Sequence, residues 1–219
     1  VTLRTLAVLA FLLPAAAAPA ATLWTGGDVS LSYQQFTFGP VSGSFAAAGD
    51  LWPDGPGTPA ETGVGGLTGV MDGEWLVAAA GVTATGTPGV VDVAVVAVHG
   101  EGDALPGPGV WTISPATLDA AFVLVLGASA SDIPDELSVE ALTALLESVA
   151  ADHVLVSVGG AIELTTLDAG GVAGVFSGTL LDRDDPLIAV SVGDGVFSLG
   201  DGVTGRESLS LGEVKRRWR

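Results

Sequence analysis

The chain contains no cysteine. That excludes a disulfide framework, a thiolate metal site and a lipid-modified N-terminal cysteine, so packing alone must hold the fold. Positive charge is scarce: seven Lys plus Arg stand against 25 Asp plus Glu, a formal net charge of −18. Such a chain is repelled by nucleic acid and by anionic membranes, and its natural counter-species are cations. Four of the seven positive charges, Lys215, Arg216, Arg217 and Arg219, crowd into a basic tail over residues 213–219. Histidine occurs twice, and neither H-x-x-x-H, H-E-x-x-H nor G-x-S-x-G is present. The signatures of zinc hydrolysis and of the serine nucleophile elbow are therefore missing.

What the chain does have is apolar content and glycine. Of its 219 residues 48% are hydrophobic, enough for a sizeable core, and 32 glycines and 12 prolines are scattered without a strict period. That pattern fits many short strands joined by tight turns rather than collagen or a disordered tract. Arg4, the apolar run at 6–13 and the small residues Ala18, Pro19 and Ala20 together read as a secretory signal peptide over 1–20, with cleavage expected between Ala20 and Ala21. The run is too short to cross a bilayer as a helix, and no later stretch reads as transmembrane. Val1 in place of Met suggests a bacterial alternative start codon. The expectation is a secreted or periplasmic protein with one β-rich domain over 21–212.

The stretch that organises this domain runs from Gly171 to Gly200. Val172, Phe176 and Leu180 share one face with Gly174 and Gly178 between them, which is strand periodicity. A polar turn at 182–186 leads into a second arm that alternates Ile188, Val190 and Val192 before Gly193-Asp194-Gly195 allows a bulge. Earlier segments look similar. A strand is expected over 29–38 with a bulge near Gln34 and Gln35, a second over 41–47, and further strands over 74–82, 90–98, 110–113 and 121–126. The strands at 90–98 and 121–126 are apolar on both faces, as in the covered centre of a sheet. Residues 50–69 are rich in proline and glycine and read as a long loop. One helix is expected over 139–150, capped by Ser138, with Val139, Leu142, Leu145, Leu146 and Val149 on one face. Strands then resume at Val154-Val156-Val158 and, after a Gly159-Gly160 turn, at Ile162 and Leu164.

Taken together these segments predict a mainly β fold, an antiparallel β-sandwich of about ten strands with one covering helix, with a closed antiparallel β-barrel as the alternative.

Chemistry-bearing residues are few. Asp182, Asp184 and Asp185 form the candidate metal site, because closely spaced carboxylates on a turn can give a hard cation such as Ca²⁺ two or three oxygens; otherwise no cofactor is expected. Arg183 lies among them. Hairpin order sets this turn at one end of the sheet and Asp168 and Asp194 at the other. Trp52 and Trp24 are the candidate ligand-binding residues, able to stack on a sugar, whereas Trp75 and Trp111 read more simply as core or rim residues. His99 is either a hydrogen-bonded residue at a strand end or an acid–base group at the sheet rim, and His153 sits where the helix C-terminus favours it. These residues suit a non-enzymatic binding or structural module. The alternatives are a calcium-stabilised carbohydrate-binding or adhesion domain, with Trp52 and the Asp182 turn at one exposed rim, and a hydrolase whose carboxylates converge on each other or on His99. An extracellular glycan or a second copy of the chain is the expected partner.

Several motifs also follow one another in a recognisable order. They are Met71-Asp72-Gly73-Glu74-Trp75-Leu76-Val77-Ala78, the turn and strand Gly107-Pro108-Gly109-Val110-Trp111, a G-x-I-x-L-T-x-L-D strand over 160–168, then S-G-T-L and G-V-F-S-L. In this the chain resembles a family of bacterial secreted proteins and lipoproteins of unknown function, whose domain opens on an N-G-x-x-W-x-A strand and closes on S-G-T-F and G-x-F strands. Asp72 stands where that family has Asn, and Leu180 where it has Phe. The resemblance covers about residues 69–199 and implies an all-β extracellular fold, with no catalytic residues to carry over.

Overall fold

The computed structural model describes residues 20–24, 26–36, 39–53, 59–71, 73–117, 119–133, 148–200 and 208–210. Most of the expected signal peptide, the expected helix as far as residue 147 and the basic tail lie outside these residues. Twelve strands follow one another: β1 (Ala20–Trp24), β2 (Gly27–Gln35), β3 (Ser42–Ala48), β4 (Gly63–Met71), β5 (Glu74–Ala84), β6 (Val90–Glu101), β7 (Gly109–Ile113), β8 (Ala120–Ser129), β9 (His153–Asp168), β10 (Gly171–Asp182), β11 (Ala189–Leu199) and β12 (Ser208–Ser210). A single 3₁₀ turn, Ala130–Asp132, follows β8. The mainly β, antiparallel reading is what the structure shows.

All twelve strands belong to one sheet, in the order β12-β1-β4-β5-β6-β8-β9-β10-β11-β2-β3, with β7 also paired to β9. This order explains why the sheet curls. β1 and β2 stand near opposite ends of it, yet only residues 25 and 26 separate them in the chain. The two ends must therefore approach, and a parallel bridge between Asp50, just after β3, and Val64 of β4 joins them. Glycines make room for side chains from the facing strands: Leu199 of β11 fills the space over Gly66 of β4, and Phe45, Ala47 and Val29 crowd onto Gly81 of β5.

The concave face is packed with side chains. Phe122, Phe176 and Phe197 stack in sequence, with ring centroids 5.1 Å and then 6.3 Å apart, among buried Phe45, Leu124, Leu155 and Ile162. Each such side chain contributes about 1.5–3 kcal/mol on leaving water. The convex face of β5, β6, β8 and β9 carries a second apolar cluster, in which Leu51, Trp52, Ile133 and Val149 cover Val82, Val91, Val93 and Val125. Burial on two sides is the reason these strands are apolar on both faces.

The hairpin at 171–200 forms as expected, with Val172, Phe176 and Leu180 all buried. Its pairing shifts between Val192 and Val196, so the bulge sits at Gly193-Asp194-Gly195. Asp194 bridges it: one carboxylate oxygen accepts the Ser32 N–H at 3.1 Å and the other the Ser32 hydroxyl at 3.2 Å. Asp194 is thus within the strand and not at the sheet end with Asp168.

Three further expectations change. Gln34 and Gln35 hold no bulge, because β2 stops at Gln35 and Phe36 is exposed. The loop expected over 50–69 gives way at Gly63 to β4, whose glycines accept neighbouring side chains, so its packing leaves no apolar alternation to read. Gly159 and Gly160 make no turn but continue β9, opposite Thr179 and Gly178. At Gly160, φ is +130°, and a side chain there would strike the Ser177 carbonyl, so the glycine permits close approach of β10.

Candidate functional site

Backbone pairing gathers the polar residues of the concave face at one end of the sheet. Thr83 of β5 pairs with Asp92 of β6. The Gly127 N–H on β8 reaches Asp92, and Leu126 pairs with His153 at the start of β9. Asp182 ends β10 beside His153, its N–H bonded to the Ile188 carbonyl. Val190 of β11 then pairs with Gln35 of β2, two residues beyond Tyr33. Residue parity turns Asp92, His153, Asp182 and Tyr33 inward, because Ala94, Leu155, Leu180 and Leu31 of the same rows lie in the concave core.

His153 and Asp182 form the tightest pair here, with Nδ1 2.7 Å from Oδ2. The imidazole is 28% exposed and the carboxylate 4%. Asp182 Oδ1 is also occupied, accepting the backbone N–H groups of Asp184 at 2.8 Å and Asp185 at 3.1 Å. Since a carboxylate only accepts, the shared hydrogen sits on Nδ1.

Asp92 accepts the Gly127 N–H at 2.9 Å. Partial burial raises its pKa above the usual carboxylate value; the Gly127 bond opposes this and the Asp152 charge adds to it. At Gly127 φ is +73°, and a side chain there would run into the Asp152 carboxylate. The Tyr33 hydroxyl is also raised, by burial first and then by the negative charge of Asp92. Four strands, β8, β9, β10 and β11, lie between β6 and β2 in the sheet.

The residues singled out from the sequence are placed otherwise than expected. Trp52 is buried against Gly65 under the convex face, and Trp24 is buried with its Nε1 donating to Thr68 Oγ1 at 3.2 Å. Neither offers a ring face to a sugar, because the glycine-rich β4 leaves hollows that these rings fill. The three aspartates do not converge on a cation site. Asp182 is spent on His153 and the turn, exposed Asp184 pairs with Arg183 at 3.0 Å, and Asp185 caps Leu187 at 3.1 Å. No group of three or more metal-ligating side chains occurs among the described residues. Trp75 and Trp111 do pack together, edge to face at 5.6 Å, and His99 lies at the opposite end of the sheet from His153. Sequence reasoning missed Tyr33 and Asp92 here and missed Asp182 as a partner of His153, while most of the helix expected beside His153 lies outside the described residues. The available signal was parity: Asp182 continues the row of Phe176 and Leu180, and His153 that of Leu155.

The class defined here is a mainly β domain built on one curled antiparallel sheet, with a packed interior and a polar mouth. Compared with protein-family models, curated proteins and solved structures, the chain matches none.

Proposed function

We propose that this protein is a secreted, acidic, non-catalytic binding module that engages its ligand at the polar end of the sheet. One observation carries the reading: stacked rings fill the interior, whereas Tyr33, Asp92 and His153 bring polar atoms with no hydrogen-bond partner among the described residues to a single mouth. Ligand sites recur in the mouths of β-barrels. Arg4, the apolar run and the Ala18-Pro19-Ala20 site support export, and the order of glycine and tryptophan motifs supports kinship with bacterial secreted β-domains.

Two measurements test this. Expressed with its leader in a bacterium, the chain is expected in the periplasm or medium with Ala21 at its N-terminus by mass spectrometry; retention of the intact leader in the cytoplasm would overturn export. For the mouth, a small-molecule panel is screened by thermal shift against the wild type and a Tyr33→Phe/His153→Gln variant that still melts cooperatively. Ligands that stabilise only the wild type support the reading, and equal effects on both proteins refute it.

A further inference from the structure

Two strands end the order of the sheet, β12 and β3. β12 has three residues, whereas β3 has seven, and among the described residues no strand other than β2 pairs with β3. The phase of the β2–β3 ladder is fixed at its ends, where the Gln35 N–H donates to the Val41 carbonyl and the Gly49 N–H to the Gly27 carbonyl. Odd-numbered residues of β3 therefore bond to β2, and the N–H and C=O groups of Ser42, Ser44, Ala46 and Ala48 point away from it along the open edge. Ser42 spends its N–H on the Pro40 carbonyl. Ser44, Ala46 and Ala48 have no backbone partner on that side among the described residues, and all four side chains are exposed. Natural edge strands are commonly blunted by a charge, a proline or a bulge. β3 has none of these: it reads Ser-Gly-Ser-Phe-Ala-Ala-Ala, its pairing with β2 runs without a register shift, and no residue from Val29 to Gly49 is charged.

We infer that β3 pairs edge to edge with β3 of a second copy, antiparallel about a two-fold axis at Ser44, so that one sheet runs through both chains. An open edge offers alternating donors and acceptors, and under a two-fold an identical edge answers each of them. The register follows from what flanks the strand. Beyond Ala48 the lane is taken, because the Gly49 carbonyl accepts the Val64 N–H, so the second strand must lie toward Ser42. Centring on Ser44 places it there: Ser44 meets its own mate, Ser42 meets Ala46, and bulky Phe45 falls opposite Gly43. Charge selects a second copy as the occupant. Chains of net charge −18 repel each other over most of their surface, and this uncharged edge lets two of them meet without opposing carboxylates.

The test is sedimentation equilibrium of the full chain, in the N-terminal form that expression yields, from micromolar to near-millimolar concentration. A monomer–dimer equilibrium is expected that tightens from low to moderate salt, as screening relieves the repulsion of like-charged copies. Ser44→Pro removes an N–H that β2 does not use, so the fold keeps its ladder while the dimer loses two bonds and weakens about thirtyfold. Ser44→Lys is expected to weaken it too, by facing two ammonium groups across the axis, although it lowers the net negative charge. Ser177→Lys makes the same charge change on exposed β10 and should not weaken it. Because the chain has no cysteine, Ser44→Cys adds a direct measure of distance: paired Cα atoms about 5.5 Å apart lie within the roughly 4.4–6.8 Å that a disulfide spans. Oxidation should link Ser44→Cys into dimers and leave Ser177→Cys monomeric. A wild type that stays monomeric throughout, a dimer untouched by both Ser44→Pro and Ser44→Lys, or equal linking of the two cysteine variants would each overturn the inference. Should Ser44→Pro fail to melt cooperatively, Ser44→Lys decides alone.

Discussion

The indole of Trp52 occupies the space that a side chain at position 65 would fill: a Cβ on Gly65 would stand 2.5 Å from Cζ3 of the ring. Gly65→Ala must therefore displace a buried ring and is expected to cost about 1–3 kcal/mol, the usual range for overpacking. In Trp52→Ala the collision disappears, so the double variant should be clearly more stable than the sum of the two single losses allows. Chemical denaturation of the four proteins measures this coupling; strict additivity would mean that ring and glycine do not meet.

Trp24 and Trp52 are both buried, but they differ in one bond. Trp24 Nε1 donates to Thr68, while Trp52 Nε1 has no hydrogen-bond partner among the described residues. Replacement by Phe removes similar apolar area from each, yet only Trp24→Phe leaves a buried hydroxyl without its donor. Trp24→Phe is expected to be the more destabilising by about 1 kcal/mol, the net worth of a hydrogen bond. Equal losses in urea unfolding would deny the Trp24–Thr68 bond any net contribution.

The turn at 182–186 separates a structural role from a metal-binding one. Asp182→Ala strips two backbone N–H groups and His153 of their acceptor and is expected to cost about 2–3 kcal/mol. Asp184→Ala removes only an exposed ion pair and should cost within about 0.5 kcal/mol. Calcium at matched ionic strength should leave the melting midpoint where sodium leaves it. A calcium-specific rise abolished by Asp184→Ala would instead restore the aspartates as a cation site.

How far the sequence could be read depended on whether a residue's role is local. The 171–200 hairpin was legible because each arm alternates within itself and its turn is polar. β4 was not, because its glycines are explained only by Trp52, Leu51 and Leu199 arriving from elsewhere in the chain. The same holds for the site. Parity in the sequence can turn Asp182 and His153 inward, but their contact spans 29 residues, and the approach of Tyr33 to Asp92 needs the curl of the whole sheet. Tryptophans suggested sugar stacking by type alone, and the rings proved to fill hollows instead.

The coupling of Tyr33 to Asp92 can be read directly, because Tyr33 is the only tyrosine. Its phenolate absorbance is expected to titrate with a midpoint above the ordinary 10.0, and Asp92→Asn should lower that midpoint without bringing it down to 10.0, since burial is the larger cause. Asp92 also makes stability depend on pH. Its folded-state pKa is raised above 3.8, so the folded chain holds this proton to higher pH than the unfolded chain does. The contribution is fully present below the unfolded value and is lost as pH rises through the folded one. Near neutral pH the charged, partly buried carboxylate opposes folding. Asp92→Asn, which keeps an oxygen for the Gly127 N–H but cannot ionise, is thus expected to raise the melting midpoint near pH 7 and to make little difference near about pH 3. A variant less stable than wild type near neutral pH, with an unmoved tyrosine midpoint, would mean that Asp92 neither lies partly buried nor faces Tyr33 across the mouth.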